Sequence, residues 1–93
     1  REQLQYAEQQ NQEAKSRLAS YSTETAESVY TRSQRDVANI TGLVGQRLAT
    51  TQDLEAARRQ LQVDATTLED AKRTRVRLEH EARAAASQLK NSF

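Results

Sequence analysis

The sequence predicts an all-α chain, folded as a two-helix antiparallel coiled-coil hairpin, and three observations carry that prediction. The 93 residues are dominated by Ala, Gln, Glu, Arg and Leu and include no proline, and these side chains lose little rotamer freedom in a helix. Apolar residues recur in steps of three and four, the narrow seam of a coiled coil rather than the broad apolar face of a globular helix. Near the midpoint two glycines are followed by a helix N-cap signal, the order expected of helix, turn, helix.

The first arm is expected over about residues 1–43. Its stripe reads Leu4, Ala7, Asn11, Ala14, Leu18 and Tyr21, then Ala26, Val29, Val37, Ile40 and Leu43. From Leu18 to Val29 is an eleven-residue step, a stutter that locally unwinds a left-handed supercoil. The turn is expected over about 44–49, with Gly42 and Gly45 as the backbone breakers that allow the reversal. A continuous helix is the competing reading, because single glycines are tolerated in long helices at about 1 kcal/mol each.

The second arm is expected over about 50–93. Thr50 is followed three residues later by Asp53, a close variant of the capping box with Asp in place of Glu or Gln. Beyond it the stripe continues through Leu54, Ala57, Leu61, Ala65, Leu68, Ala71, Leu78, Ala82, Ala85 and Leu89, with Asp64 and Arg75 near it as weakening residues. Folding back would set Val37 and Ile40 against Leu54 and Ala57, Ala26 and Val29 against Ala65 and Leu68, and Leu4 against Leu89.

Composition excludes several function classes. Four aromatic residues and 35% hydrophobic residues are too few for the core of a stand-alone enzyme. No cysteine means no disulfide framework and no thiolate metal site. The single histidine, His80, has Val76 and Ala84 where a helical metal site needs ligands, so no metal or cofactor is expected. Fourteen basic residues stand against thirteen acidic ones, five against six through residue 46 and nine against seven after it. That balance lacks the one-signed excess that nucleic acid requires. The basic run from Lys72 to Arg77 is bracketed by Glu69, Asp70, Glu79 and Glu81, which suits ion pairing along a helix. No apolar run approaches the length that spans a bilayer, so no membrane insertion by this segment is expected. The serines and threonines have no activating base, and Glu24 and Glu27 have no apolar pocket; catalysis is not expected. Asn39-Ile40-Thr41 matches a glycosylation sequon, a frequent chance pattern. With neither an initial methionine nor a signal peptide, the chain reads as a segment of a longer protein.

The run Leu43-Val44-Gly45-Gln46-Arg47-Leu48-Ala49-Thr50-Thr51-Gln52-Asp53-Leu54-Glu55-Ala56-Ala57-Arg58 resembles the hairpin tip of bacterial membrane fusion proteins, also called periplasmic adaptor proteins. In that family an arginine precedes a leucine by four residues. A serine or threonine follows the leucine by seven and opens the returning helix, ahead of an acidic-aromatic/leucine-acidic triplet. Leu43, Thr50 and Asp53-Leu54-Glu55 occupy the later positions, and Asn39 stands at the arginine position, with Arg35 one turn earlier. The likeness is specific over about sixteen residues and compositional elsewhere.

That resemblance implies an inner-membrane-anchored periplasmic protein of a tripartite efflux or type 1 secretion system. Its hairpin tip meets an outer-membrane channel protein, copies associate side by side as a homo-oligomer, and an inner-membrane transporter binds regions not present here. Asn39, Leu43, Arg47, Leu48 and Thr50 are the partner-contact residues it implies. The alternative is a parallel, dimeric coiled-coil segment of a scaffold or tethering protein, with Asn11 setting the register. A small Trp-Xaa-Gly helical hairpin is a weaker third possibility, since Leu43-Val44-Gly45 lacks the tryptophan.

Overall fold

A computed structural model describes residues 2–92; Arg1 and Phe93, the outer ends of the two expected arms, lie outside the described residues. The chain is all-α: α1 spans Glu2–Ser20, α2 spans Glu24–Gly45 and α3 spans Thr51–Asn91, with no strand among the described residues. Two compact units form. One draws on Arg1–Ser22 and Lys72–Phe93, the other on Thr23–Ala71.

The expected first arm is therefore not one helix: it is interrupted at Tyr21, Ser22 and Thr23. Heptad phase gives the reason. In α1 the least exposed residues are Leu4, Ala7, Asn11, Ala14 and Leu18, whereas from Thr23 onward they include Ala26, Tyr30, Ser33, Val37, Ile40 and Val44. Extending the first phase would place seam positions at 25 and 28, one and two residues from where they fall. One residue of phase is about 100° around a helix, so an unbroken helix would carry two misaligned stripes.

Local chemistry supplies the stop and the restart. The Ser20 hydroxyl donates to the Ser16 carbonyl at 2.9 Å and also lies 3.3 Å from the Arg17 carbonyl, back-bonding that competes with helix continuation. The Tyr21 N–H turns to the Leu18 carbonyl at 3.3 Å, a tightened last turn. Thr23 is buried, its hydroxyl donates to Glu27 Oε1 at 3.0 Å, and its carbonyl accepts the Glu27 N–H at 3.0 Å.

The first unit pairs α1 with the C-terminal part of α3. Its buried residues are small on α1, Ala7, Asn11 and Ala14, and include Leu78 on α3. Asn11 Oδ1 is buried with no hydrogen-bond partner. Arg17 pairs with Glu81 across the helices at 3.9 Å, an exposed bridge that adds little stability. Arg75 and Arg77 reach Glu79 and Glu81 one turn on, at 3.3 Å and 4.0 Å. Arg75 is half exposed, so it stands off the seam.

The second unit pairs α2 with the N-terminal part of α3. Asp64 is among its most buried residues, rather than a residue merely near the stripe. The Ser33 hydroxyl donates to Asp64 Oδ2 from the facing helix, and Gln60 Nε2 donates to Oδ1 at 3.0 Å. Leu68 is the buried leucine of this unit. A buried polar pair between two helices fixes which residue faces which, because any slip leaves both groups unpaired.

Candidate functional site at the α2–α3 turn

The turn between α2 and α3 is built from two helix-end motifs in succession. At the first, the Arg47 N–H donates to the Val44 carbonyl at 3.0 Å and the Leu48 N–H to the Leu43 carbonyl at 2.8 Å. These are the paired bonds of a Schellman motif, which needs a left-handed residue between them. Arg47 takes that conformation, with φ 62°.

This corrects the expectation that the glycines reverse the chain. Gly42 and Gly45 both lie in α2, and neither has a positive φ. The reversal falls two residues beyond Gly45 because the motif counts from the last helical carbonyls, not from the nearest flexible residue. A Cβ added at either glycine would meet nothing within 4 Å, so contacts inside the chain do not require glycine there. Arginine in the left-handed region carries a penalty of about 1–2 kcal/mol that glycine avoids. Arg47→Gly is therefore expected to raise stability by about 1 kcal/mol, read as a higher melting temperature with unchanged helicity; a lower one would refute the assignment of strain.

The second motif opens α3. The Asp53 N–H donates to Thr50 Oγ1 at 3.1 Å, and the Thr50 N–H donates back to Asp53 Oδ2 at 2.9 Å. This is a reciprocal capping box, with aspartate in the glutamate role. Donation from the Thr50 backbone, aided by its side chain, holds the Asp53 carboxyl below its ordinary value of 3.8.

Between these motifs the apolar side chains are left outside. Leu43 is 40% exposed and Leu48 70% exposed. The sequence places Leu43 on the seam as well as at the tip; in the structure the less exposed residue at the end of α2 is Val44. Arg47 and Thr50 are exposed, and Thr50 is engaged in the cap. Asn39, one turn inside α2, lines an open groove together with Asp36, Asp53 and the turn residue Ala49. The structure thus joins Leu43 to Leu48 through the backbone, and Asn39 lies one helical turn before Leu43 on α2.

Sequence reasoning missed the groove. Its α2 residues Ser33, Asp36 and Ile40 and its α3 residues Asp53, Ala56 and Gln60 follow steps of three and four, Ser33 and Ile40 on the seam and Asp36, Asp53, Ala56 and Gln60 beside it. That second stripe was readable, but without the seam partner known it was indistinguishable from a solvated face.

Among the described residues no cluster of three or more His, Asp or Glu side chains could hold a metal, and no helix is long and apolar enough to cross a membrane. No family model, curated protein or solved structure matches the chain.

Proposed function

We propose that this chain is the helical-hairpin segment of a bacterial periplasmic adaptor. In this reading α1 and α2 form an interrupted outgoing arm and α3 the returning arm of an antiparallel coiled coil. The α2–α3 turn meets the helical ends of an outer-membrane channel protein, copies stand side by side in the periplasm, and an inner-membrane transporter binds regions outside this segment. The chain catalyses nothing itself; the transporter supplies the energy for efflux or secretion.

One observation carries the proposal beyond the resemblance of residues 43–58: two exposed leucines are held on a turn closed on both sides by helix-end hydrogen bonds. Such a turn is pre-organised, so little ordering cost remains when it docks. Apolar side chains fixed in this way are suited to act as anchors of a small interface. The two glycines of α2, each costing about 1 kcal/mol in a helix and not required by contacts within the chain, suit close approach by a partner's backbone.

The test is charge replacement at the exposed leucines. Leu43→Glu and Leu48→Glu should change folding stability by no more than about 0.5 kcal/mol, as exposed sites do. In the full-length protein they should abolish co-purification with the outer-membrane channel and with it efflux or export. Retained assembly would remove the tip from the contact. Unfolding of the segment would place the leucines in helix packing and end the adaptor reading.

A further inference from the structure

The near-neutral charge of the whole chain hides a division between the two units. Residues 1–22 and 72–93 carry nine basic and five acidic residues, a balance of +4, whereas residues 23–71 carry five and eight, a balance of −3. The excess of the first unit is not spread evenly around it. On α3, Lys72, Val76, Glu79, Arg83, Ala86 and Lys90 follow one another in steps of four and three, the spacing of a helix–helix seam. They are distinct from the less exposed stripe through Leu78, Ala82, Ala85 and Leu89, and five of the six are exposed. This end of α3 therefore carries a second seam that nothing among the described residues covers.

α1 adds a cation to it. The Arg17–Glu81 bridge marks one flank of the unit. Gln10 and Gln88, each seven residues further on, line a cleft together with that pair, so α1 and α3 run antiparallel. Lys15 precedes Arg17 by two residues and Arg83 follows Glu81 by two. Two residues are about 200° around a helix, so both point to the flank opposite the bridge, and in an antiparallel pair both move the same way along the axis. Lys15 and Arg83 therefore stand at one height, with Lys72 about 16.5 Å to one side along α3 and Lys90 about 10.5 Å to the other, at 1.5 Å per residue. None of these four cations makes an ion pair among the described residues. Of the carboxylates on this flank, Glu79 is held by Arg75 at 3.3 Å, and Glu8, seven residues before Lys15, lies at the height of Lys90. The unopposed charge is thus concentrated from Lys72 to Arg83.

We propose that this second seam of α3 receives an acidic amphipathic helix of another protein, which sets an apolar side chain against Val76 and carboxylates against Lys72, Arg83 and Lys15. Steps of four and three are matched by the side chains of a second helix. Val76, left exposed among the cations, offers an apolar anchor that a phosphate polymer has no use for. Four cations over about 27 Å of helix are also sparse beside duplex nucleic acid, which carries a charge about every 1.7 Å. A second copy in register would bring the same cations face to face. The inference stands on the first unit alone and rests neither on the adaptor reading nor on the turn.

The test is titration of the full chain into a fluorescently labelled synthetic peptide of three heptads, with leucine at a and d and glutamate at e and g; its glutamates oppose pairing with itself. Fluorescence anisotropy should show saturable binding that weakens as salt rises, and the same peptide with lysine in place of glutamate should not bind. Lys72→Glu, Val76→Glu and Arg83→Glu should each weaken binding by about tenfold or more. Arg58→Glu, which removes an exposed cation of the second unit, should leave it unchanged. All four sites are exposed, so circular dichroism should show wild-type helicity, and Lys72→Gln and Arg83→Gln, which only remove charge, should weaken binding less. Absence of binding, binding that the variants of the first unit leave intact, or an equal loss in Arg58→Glu would overturn the proposal. Equally tight binding of polyphosphate or of phosphatidylglycerol vesicles would do the same, since charge without a helix would then suffice. Self-association of the chain that Arg83→Glu abolishes would make a second copy the occupant and overturn it likewise. None of these outcomes involves Leu43 or Leu48, so failure here is distinct from failure of the tip reading.

Discussion

Leu68→Ala and Leu78→Ala are each expected to destabilise the chain by about 2 kcal/mol or more, the lower part of the range for buried leucines. Leu68 and Leu78 are the large apolar residues among the buried positions, at 9% and 7% exposure; the other buried hydrophobic positions, Ala7 and Ala14, are alanines. An alanine removes little apolar area from water, so each buried leucine contributes more than the seam alanines of its unit, at about 25 cal/mol per Å². For a chain of this size 2 kcal/mol corresponds to a melting shift of about 10 °C. The two residues belong to different units. If the units melt separately, each substitution should lower one transition and spare the other. Val63→Ala is the control: Val63 is 57% exposed and its loss should be nearly neutral. Melting of both leucine variants at the wild-type temperature would contradict a packed seam.

Ser33→Ala is expected to cost about 1–3 kcal/mol, more than a hydroxyl on a helix surface contributes, because it leaves a buried carboxyl oxygen of Asp64 without its donor. The pair joins residues 31 positions apart and both side chains are buried. Gln60 would still serve Oδ1, which bounds the loss. Replacing both partners, Ser33→Ala with Asp64→Leu, should recover the stability and can exceed wild type, since no polar group is then left buried unpaired. The gain should come with weaker register definition, because leucine on a seam accepts more than one pairing. Chemical unfolding of the single and double variants decides it. Additive losses would show that the two residues do not interact.

What could be read from the sequence alone is what acts within one or two helical turns. The composition and the absence of proline make the chain helical, and α3 runs from Thr51 to Asn91 as its stripe suggests despite the weakening residues Asp64 and Arg75. The exchange of bonds between Thr50 and Asp53 spans three residues, and the Arg75–Glu79 and Arg77–Glu81 pairs span four. Each depends only on neighbours along the chain, so spacing is sufficient information.

The tertiary structure decided what depends on a partner far away in the sequence. Asp64 looks like a flaw in the stripe until Ser33 and Gln60 are found on its oxygens. The interruption at Tyr21–Thr23 contains neither glycine nor proline; it follows from a change of heptad phase that matters only once the first arm must bury a seam. Arg47 takes the left-handed position although two glycines stand close by, because the bonds to the Leu43 and Val44 carbonyls place it there. Local propensity ranks the conformations open to each residue by about 1 kcal/mol, and packing selects among conformations that close in energy.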